Sequence, residues 1–218
     1  MSQEAKILTG IGIATLVIVV AAAFMFGGNA SSSKPTVTIS STQQKLLIKN
    51  DSHKKEVKGT KVTLVEFGDF ECPACGAAYP IVTQLLNDYK GKITFVFRNY
   101  PLPVHPNAPI AAEAAEAAGA QGKFFEMYDA LYTNQKDWGE STKPMDYFMK
   151  YAKNIGLDEN KFKNDVESKK FASKIQADVT DGNALNVSAT PTFYLNGQQI
   201  VGGLPYDQFK AKVETALK

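Results

Sequence analysis

Residues 65–80 read VEFGDFECPACGAAYP, and they hold both cysteines of the chain, Cys72 and Cys75, three positions apart. The run leading into them, KVTLVEF at Lys61–Phe67, is almost continuously apolar and β-branched. Such a run is expected of a central strand covered on both faces. Behind Cys72, the residues Ala78, Val82, Leu85, Leu86 and Tyr89 fall on one side of a 3.6-residue helix, which Lys90-Gly91 stops. ITFVFR at Ile93–Arg98 is a second buried strand. Strand, helix and strand in this order predict a right-handed parallel crossover. The cysteines then sit where the first strand ends and the helix begins.

That position has chemical consequences. The first helical turn exposes unpaired backbone N–H groups and the positive end of the helix dipole, both of which stabilise a thiolate at Cys72. The thiolate is the attacking species in disulfide exchange. Cys75, one turn further in, is less exposed and placed to resolve a mixed disulfide. Pro73 fits the first helical turn, where a missing N–H costs nothing. Three other uses of the pair compete. A static disulfide closing so short a loop gives little entropic stabilisation. Half of a zinc site needs further ligands, and the only histidines, His53 and His105, are distant in sequence. The third is a pair of plain buried thiols.

Segment 65–80 resembles the active-site segment of DsbA-like thioredoxin-fold proteins, particularly the membrane-anchored, BdbD-type single-domain forms of bacteria, and the likeness covers about residues 43–218. It implies an α/β thioredoxin fold with a helical insertion at about 106–165, and thiol-disulfide exchange as the activity. Glu66, six residues before Cys72, matches the buried acid that this family keeps beneath its active site. A carboxylate inside KVTLVEF is costly to bury charged, so its pKa should rise and it can accept a proton from Cys75. The alternative is a strand-end Glu that reaches solvent. Thr190-Pro191, just before TFYL, matches the cis-proline that faces the cysteines and binds extended substrate backbone. Pro73 and Ala74, between the cysteines, belong to the same expected substrate contact. Without the resemblance, Pro191 reads as an ordinary trans residue opening a strand. Pro80 matches the kink proline of the active-site helix.

The likeness also has departures. The strong oxidants of the family carry a histidine between their cysteines that helps to stabilise the thiolate, whereas this chain has Pro73-Ala74. Asp69 and Glu71 flank Cys72 and, if close, oppose a negative sulfur. Electron flow is thus open between oxidation of exported proteins, which the expected compartment favours, and reduction or isomerisation of their disulfides. A redox-idle peptide-binding module is a further alternative. The resemblance implies exported thiol-containing proteins as substrates and a membrane-embedded partner that reoxidises or reduces the pair. No metal or other cofactor is expected beyond the redox-active Cys72–Cys75 disulfide.

Ahead of the domain, Ile7–Phe26 is a run of 20 residues without a charge. At about 1.5 Å per residue it reaches ~30 Å, the thickness of a bilayer core. It reads as a transmembrane helix after a short cytoplasmic tail at 1–6. A cleaved signal peptide is the alternative, although its apolar stretch is usually shorter and its start basic. No cysteine precedes position 72, so a lipid-modified cysteine is not the anchor. Residues 27–42, rich in Ser, Thr and Gly, read as a spacer. The working domain at 43–218 is therefore expected in the periplasm or at the cell surface. A net charge of +2, with scattered lysines, gives no footprint for nucleic acid.

Beyond the second strand, a helical region spans about 108–162, with interruptions at Gly122, around Trp138–Pro144 and at Gly156. A further helix is predicted over about 165–185, with Phe171, Ile175 and Val179 four apart. Thr192–Leu195 and Gln199–Val201 flank Asn196-Gly197, a hairpin signal, and a last helix covers about 205–217. His105 reads as a loop cap or a proton relay, Trp138 as packing or a substrate platform. Lysines 161, 163, 169, 170 and 174 read as a solvated face.

Overall fold

The computed structural model describes residues 39–218, so the span read at 7–26 and most of the spacer lie outside the described residues. Among the described residues, no helix is long and apolar enough to cross a membrane. The order is α1 (Ser41–Leu47), β1 (His53–Lys55), β2 (Val62–Gly68), α2 (Pro73–Asp88) and β3 (Ile93–Asn99). Then come five insertion helices: α3 (Ala108–Gly119), α4 (Phe124–Thr133), α5 (Gln135–Trp138), α6 (Pro144–Asn154) and α7 (Glu159–Glu167). The chain closes with α8 (Ala172–Ala184), β4 (Thr192–Leu195), β5 (Gln198–Val201) and α9 (Tyr206–Leu217).

The strands form one mixed sheet in the order β1-β3-β2-β4-β5. β2 and β3 run parallel at its centre, from Val62 beside Ile93 to Gly68 beside Asn99, and α2 is the expected crossover between them. β4 lies antiparallel to β2, and β5 to β4. Alternation along β2 sends Val62, Leu64 and Glu66 to one face and Val65 and Phe67 to the other. The first face packs against α2, α9 and the insertion helices; the second packs against Ile39, Leu47, Leu185, Val187 and Tyr194. Both faces being covered, all seven residues of β3 are buried. That is why the strand carries no polar alternation for the eye to find.

Turn chemistry sets the element ends. Gly91, Gly122 and Gly156 adopt φ of +77°, +76° and +76° where the sequence reading placed its stops. Asn196 and Gly197, at φ 48° and 83°, form the hairpin tip. α3 is built largely of buried alanines, whose small side chains let it sit in the middle of the insertion. Trp138 is fully buried, its indole donating to the Leu131 carbonyl over 2.9 Å, so it is packing and not a platform.

Three expectations are corrected. The helix predicted over 165–185 is two helices, because Lys169 turns the chain at φ 52° and the Phe171 N–H leaves the helical ladder to donate to Glu113. One lysine of this stretch departs from the solvated face: Lys170 stays exposed, but Lys174 does not. Lys170 joins Lys161 on the Asp165 carboxylate, and Lys174, only 15% exposed, pairs with Glu116 and Asp178. The end of the stretch read as spacer belongs to the packed domain: Ile39 is buried, and Ser40 caps α1 in a reciprocal capping box with Gln43.

Candidate active site

Cys72 is the N-cap of α2, in extended conformation (φ −63°, ψ 121°), and Pro73 opens the helix behind it. Its backbone N–H donates to the Asp69 carbonyl (3.2 Å), and its thiol donates to the Thr190 carbonyl (3.4 Å). The Thr190–Pro191 bond is cis, so the loop before β4 faces the cysteine from the other side of the sheet's end. Both thiols are free, Cys72 nearly and Cys75 fully buried.

The two sulfurs differ in acidity for local reasons. A hydrogen bond from the Cys75 thiol, with help from the backbone N–H groups of Ala74 and Cys75, lowers the Cys72 pKa from 9.0 to about 5 against the opposing effect of burial. Cys75 goes the other way: desolvation, first of all, pushes it well above 9.0, and it yields its hydrogen bond to Cys72. The more acidic and the less acidic thiol are thus separated by position along one helical turn.

Glu66 is buried beneath Cys75, and desolvation lifts its pKa from 4.5 to about 8, only partly offset by a hydrogen bond from the Tyr128 hydroxyl (3.3 Å). It does not reach solvent, so the strand-end alternative fails. Tyr128 and Tyr132 of the insertion join Phe70, Tyr79 and Phe97 in an aromatic wall over this face. Pro80 lies within α2, which continues through it.

Asp69 and Glu71, feared as neighbours of a negative sulfur, are spent on the loop opposite. Asp69 is fully buried and accepts from the backbone N–H groups of Glu71 and Leu102 (each 2.8 Å) and from His105 Nδ1 (2.6 Å). Glu71 accepts from the Asn107 N–H (2.5 Å), and the Asn107 carboxamide in turn holds the carbonyls of Trp138, Gly139 and Ser141. His105 therefore belongs to the active-site loop system, a role the sequence reading left as loop capping or relay.

Gln135 was missed altogether. From α5 it donates through one nitrogen to the carbonyls of Phe70 (2.7 Å) and Cys72 (2.9 Å), fixing the loop from the insertion side. Gly76 makes room for it, since a Cβ there would overlap the Gln135 carboxamide. Gly76 directly after Cys75 was the available signal, but nothing in the sequence names its partner, 59 positions on. Among the described residues, no group of three or more His, Cys, Asp or Glu side chains could hold a metal ion.

A helix-capping Cys-x-x-Cys, a buried acid below it and a cis-proline across from it lie together on a mixed sheet with a helical insertion. A family model described as thioredoxin matches residues 57–215, most of the chain. The chain belongs to the DsbA-like thioredoxin-fold family. Within that family it is similar to BdbD from Bacillus subtilis, at 25% identity and a TM-score of 0.70, covering 84% of this chain and 97% of that one. It is also similar to a thioredoxin-like oxidoreductase from Silicibacter pomeroyi, at 27% identity and a TM-score of 0.67, over 79% of this chain and 96% of that one. Alpha-DsbA2 of Wolbachia pipientis, a thiol-disulfide exchange protein, shares the fold at 24% identity and a TM-score of 0.70, over 80% and 92% of the two chains. The chain is also similar to a Na(+)/H(+) antiporter NhaA 1 of Salinispora arenicola, 42% identical over 175 residues and 78% of this chain. The chain spans about a quarter (26%) of that relative's length, and the antiport in its name is said of that protein alone.

Proposed function

We propose that this protein oxidises thiols of exported proteins through the Cys72–Cys75 disulfide. The observation that carries the reading is the Cys72 thiol at the cap of α2, held at about 5. A thiolate stabilised that strongly favours the reduced form of the pair, and a stabilised reduced form makes a disulfide a strong oxidant. At neutral pH the Cys72 of the reduced pair is therefore mostly thiolate.

In the proposed reaction a substrate thiolate attacks the Cys72 sulfur and the Cys75 sulfur leaves with the electron pair. Glu66, still largely protonated at neutral pH, supplies the proton that Cys75 needs as it departs. A second substrate thiolate then attacks the substrate sulfur of the mixed disulfide, and Cys72 leaves as thiolate. Two electrons have passed to the pair and the substrate has gained a disulfide. Thr190 and Pro191, with Pro73 and Ala74 opposite, are the surface on which the substrate backbone lies; Thr190 Oγ1 is buried with no hydrogen-bond partner among the described residues. Residues 7–26 anchor the chain, the domain works outside the cytoplasm, and a membrane-embedded partner returns the pair to its disulfide.

The test is equilibration of the pair with glutathione. An oxidase gives a potential nearer to about −120 mV than to about −270 mV, the values of a strong oxidant and of a reductant of this fold. A pair that stays disulfide-bonded in mildly reducing buffer is a reductase or isomerase. Cys72→Ser should abolish exchange with a model peptide, and retention of the full cellular role in the double Cys72→Ser, Cys75→Ser variant would make the domain a binding module instead.

A further inference from the structure

Pro73-Ala74 puts no charge between the cysteines, yet the loop joining β3 to α3 brings a histidine to the loop that leads into Cys72. His105 Nδ1 lies 2.6 Å from Asp69 Oδ2, and the carbonyl of that same Asp69 accepts the Cys72 N–H at 3.2 Å. The imidazole and the Cys72 backbone are therefore both fastened to one residue, the imidazole to the Asp69 carboxylate and the Cys72 N–H to the Asp69 carbonyl. Asp69 cannot swing away, because its carboxylate also accepts from the backbones of Glu71 and Leu102 and its carbonyl from the Tyr132 hydroxyl (3.3 Å). His105 keeps 19% of its side chain exposed, and among the described residues its Nε2 makes no hydrogen bond.

We propose that His105, oriented by Asp69, is the cation of this active site: an imidazolium from the β3–α3 loop that stabilises the Cys72 thiolate. The assignment rests on Cys72 acting as the nucleophilic thiolate, as proposed above. The titratable groups near the imidazole are Asp69 and Glu71 from the β2–α2 loop and Cys72 itself; burial lowers the basicity of the ring, and the hydrogen bond and charge of Asp69, together with the charges of Cys72 and Glu71, raise it above the usual value. Glu71 accepts from the Asn107 backbone and Asp69 holds Nδ1, so Cys72 is the remaining neighbouring anion. His105 is a positioning residue in this scheme and takes no part in the covalent steps.

Stabilisation of this kind is reciprocal: whatever His105 does to the acidity of Cys72, the thiolate does to the basicity of His105. Two readouts follow, both on the purified full chain. The first is thiolate absorbance of the reduced protein against pH. His105→Gln keeps a donor for Asp69 but no charge, and it should move the Cys72 transition up by about one pH unit and shift the glutathione equilibrium about tenfold toward the disulfide. His105→Lys, which restores a cation, should recover at least half of that shift. The second readout needs no variant and so survives a folding defect. The chain has only two histidines, and the proton resonance of His105 should titrate about one unit lower in the disulfide form than in the reduced form. A His105→Gln curve that overlays the parent, a shift that His105→Lys leaves undiminished, or a His105 titration identical in the two redox forms would each overturn the assignment. If instead the unaltered protein shows no acid-shifted thiolate at all, it is the oxidase reading that has failed.

Discussion

The Tyr128 hydroxyl donates to Oε2 of Glu66 over 3.3 Å, the one hydrogen bond that this buried carboxyl receives among the described residues. A lone neutral donor does not offset the loss of water. Glu66 therefore holds its proton up to about pH 8, against an ordinary value of 4.5. The unfolded chain releases that proton earlier, so the folded state binds more protons across the window. Stability is fully present below about pH 4.5 and falls as pH rises toward about 8. At 1.36 kcal/mol per unit, the loss is of order 5 kcal/mol. Urea denaturation of the disulfide form, in which the cysteines do not titrate, should show Glu66→Gln abolishing most of this decline and exceeding the parent in stability above pH 8. In exchange assays the same variant should lose about 10²-fold in the rate of reduction by a model dithiol, the usual worth of a positioned proton donor. Tyr128→Phe should move the stability decline to higher pH, since its hydrogen bond lowers the Glu66 pKa.

The acidity difference within the cysteine pair gives a second expected outcome. Iodoacetamide modification of the reduced protein should rise with pH to half its maximum near pH 5 and then stay level, all of it on Cys72. Cys75, fully buried and raised well above 9.0, should remain unmodified through neutral pH. Peptide mapping of the label checks both statements, and a half-maximum near pH 9 would remove the basis for a strong oxidant.

How legible this site was depends on whether a residue acts through its own backbone element or through a partner far away. Cys72, Pro73 and Cys75 could be placed because strand end, helix start and spacing are local signals, and Glu66 stood out as a charge in an apolar run. Asp69 and Glu71 were visible, but their donors Leu102, His105 and Asn107 lie more than 30 positions away, and only the fold shows the carboxylates engaged by them. β1 and α1 escaped notice for another reason: HKK at an antiparallel edge and a polar single-cap helix lack the apolar periodicity that marks the central elements. The split at Lys169 follows from tertiary bonding of Phe171 to Glu113, which no local pattern encodes.

Gly76 and Gln135 form a matched pair across the insertion, and they make a double-mutant test. Gly76→Ala would raise helix propensity by about 1 kcal/mol in an open helix. Here it overlaps the Gln135 carboxamide, so a net loss of about 1–3 kcal/mol is expected. Gln135→Ala abandons the carbonyls of Phe70 and Cys72 and should cost about 2 kcal/mol. Combined, the two should cost less than their sum, because the first clash disappears with the second side chain. Urea midpoints of the four proteins measure this, and strict additivity would show that the contact does not constrain the active-site loop.

Arg98 offers the largest expected loss from a single substitution. It is fully buried in β3, with Nε 2.9 Å from Asp178 and Nη2 2.6 Å from Asp181, while Nη1 donates to the carbonyls of Leu46 and Leu47 at the end of α1. One guanidinium thereby joins the sheet, α8 and α1. The fork geometry matters, since a lysine at this position could not serve three directions at once. Removing a single partner from a buried ion pair leaves an uncompensated charge, so Arg98→Met should cost about 3–5 kcal/mol and release α1 first. Replacing the acids as well, in Arg98→Met with Asp178→Asn and Asp181→Asn, should recover part of the loss. Asp178 also accepts the Asn99 N–H and Lys174, so recovery will stop short of complete. Hydrogen exchange at the α1 amides, read beside the urea midpoint, distinguishes local release from global loss. If the α1 amides stay as protected as the sheet in Arg98→Met, the link through the Leu46 and Leu47 carbonyls does not hold α1.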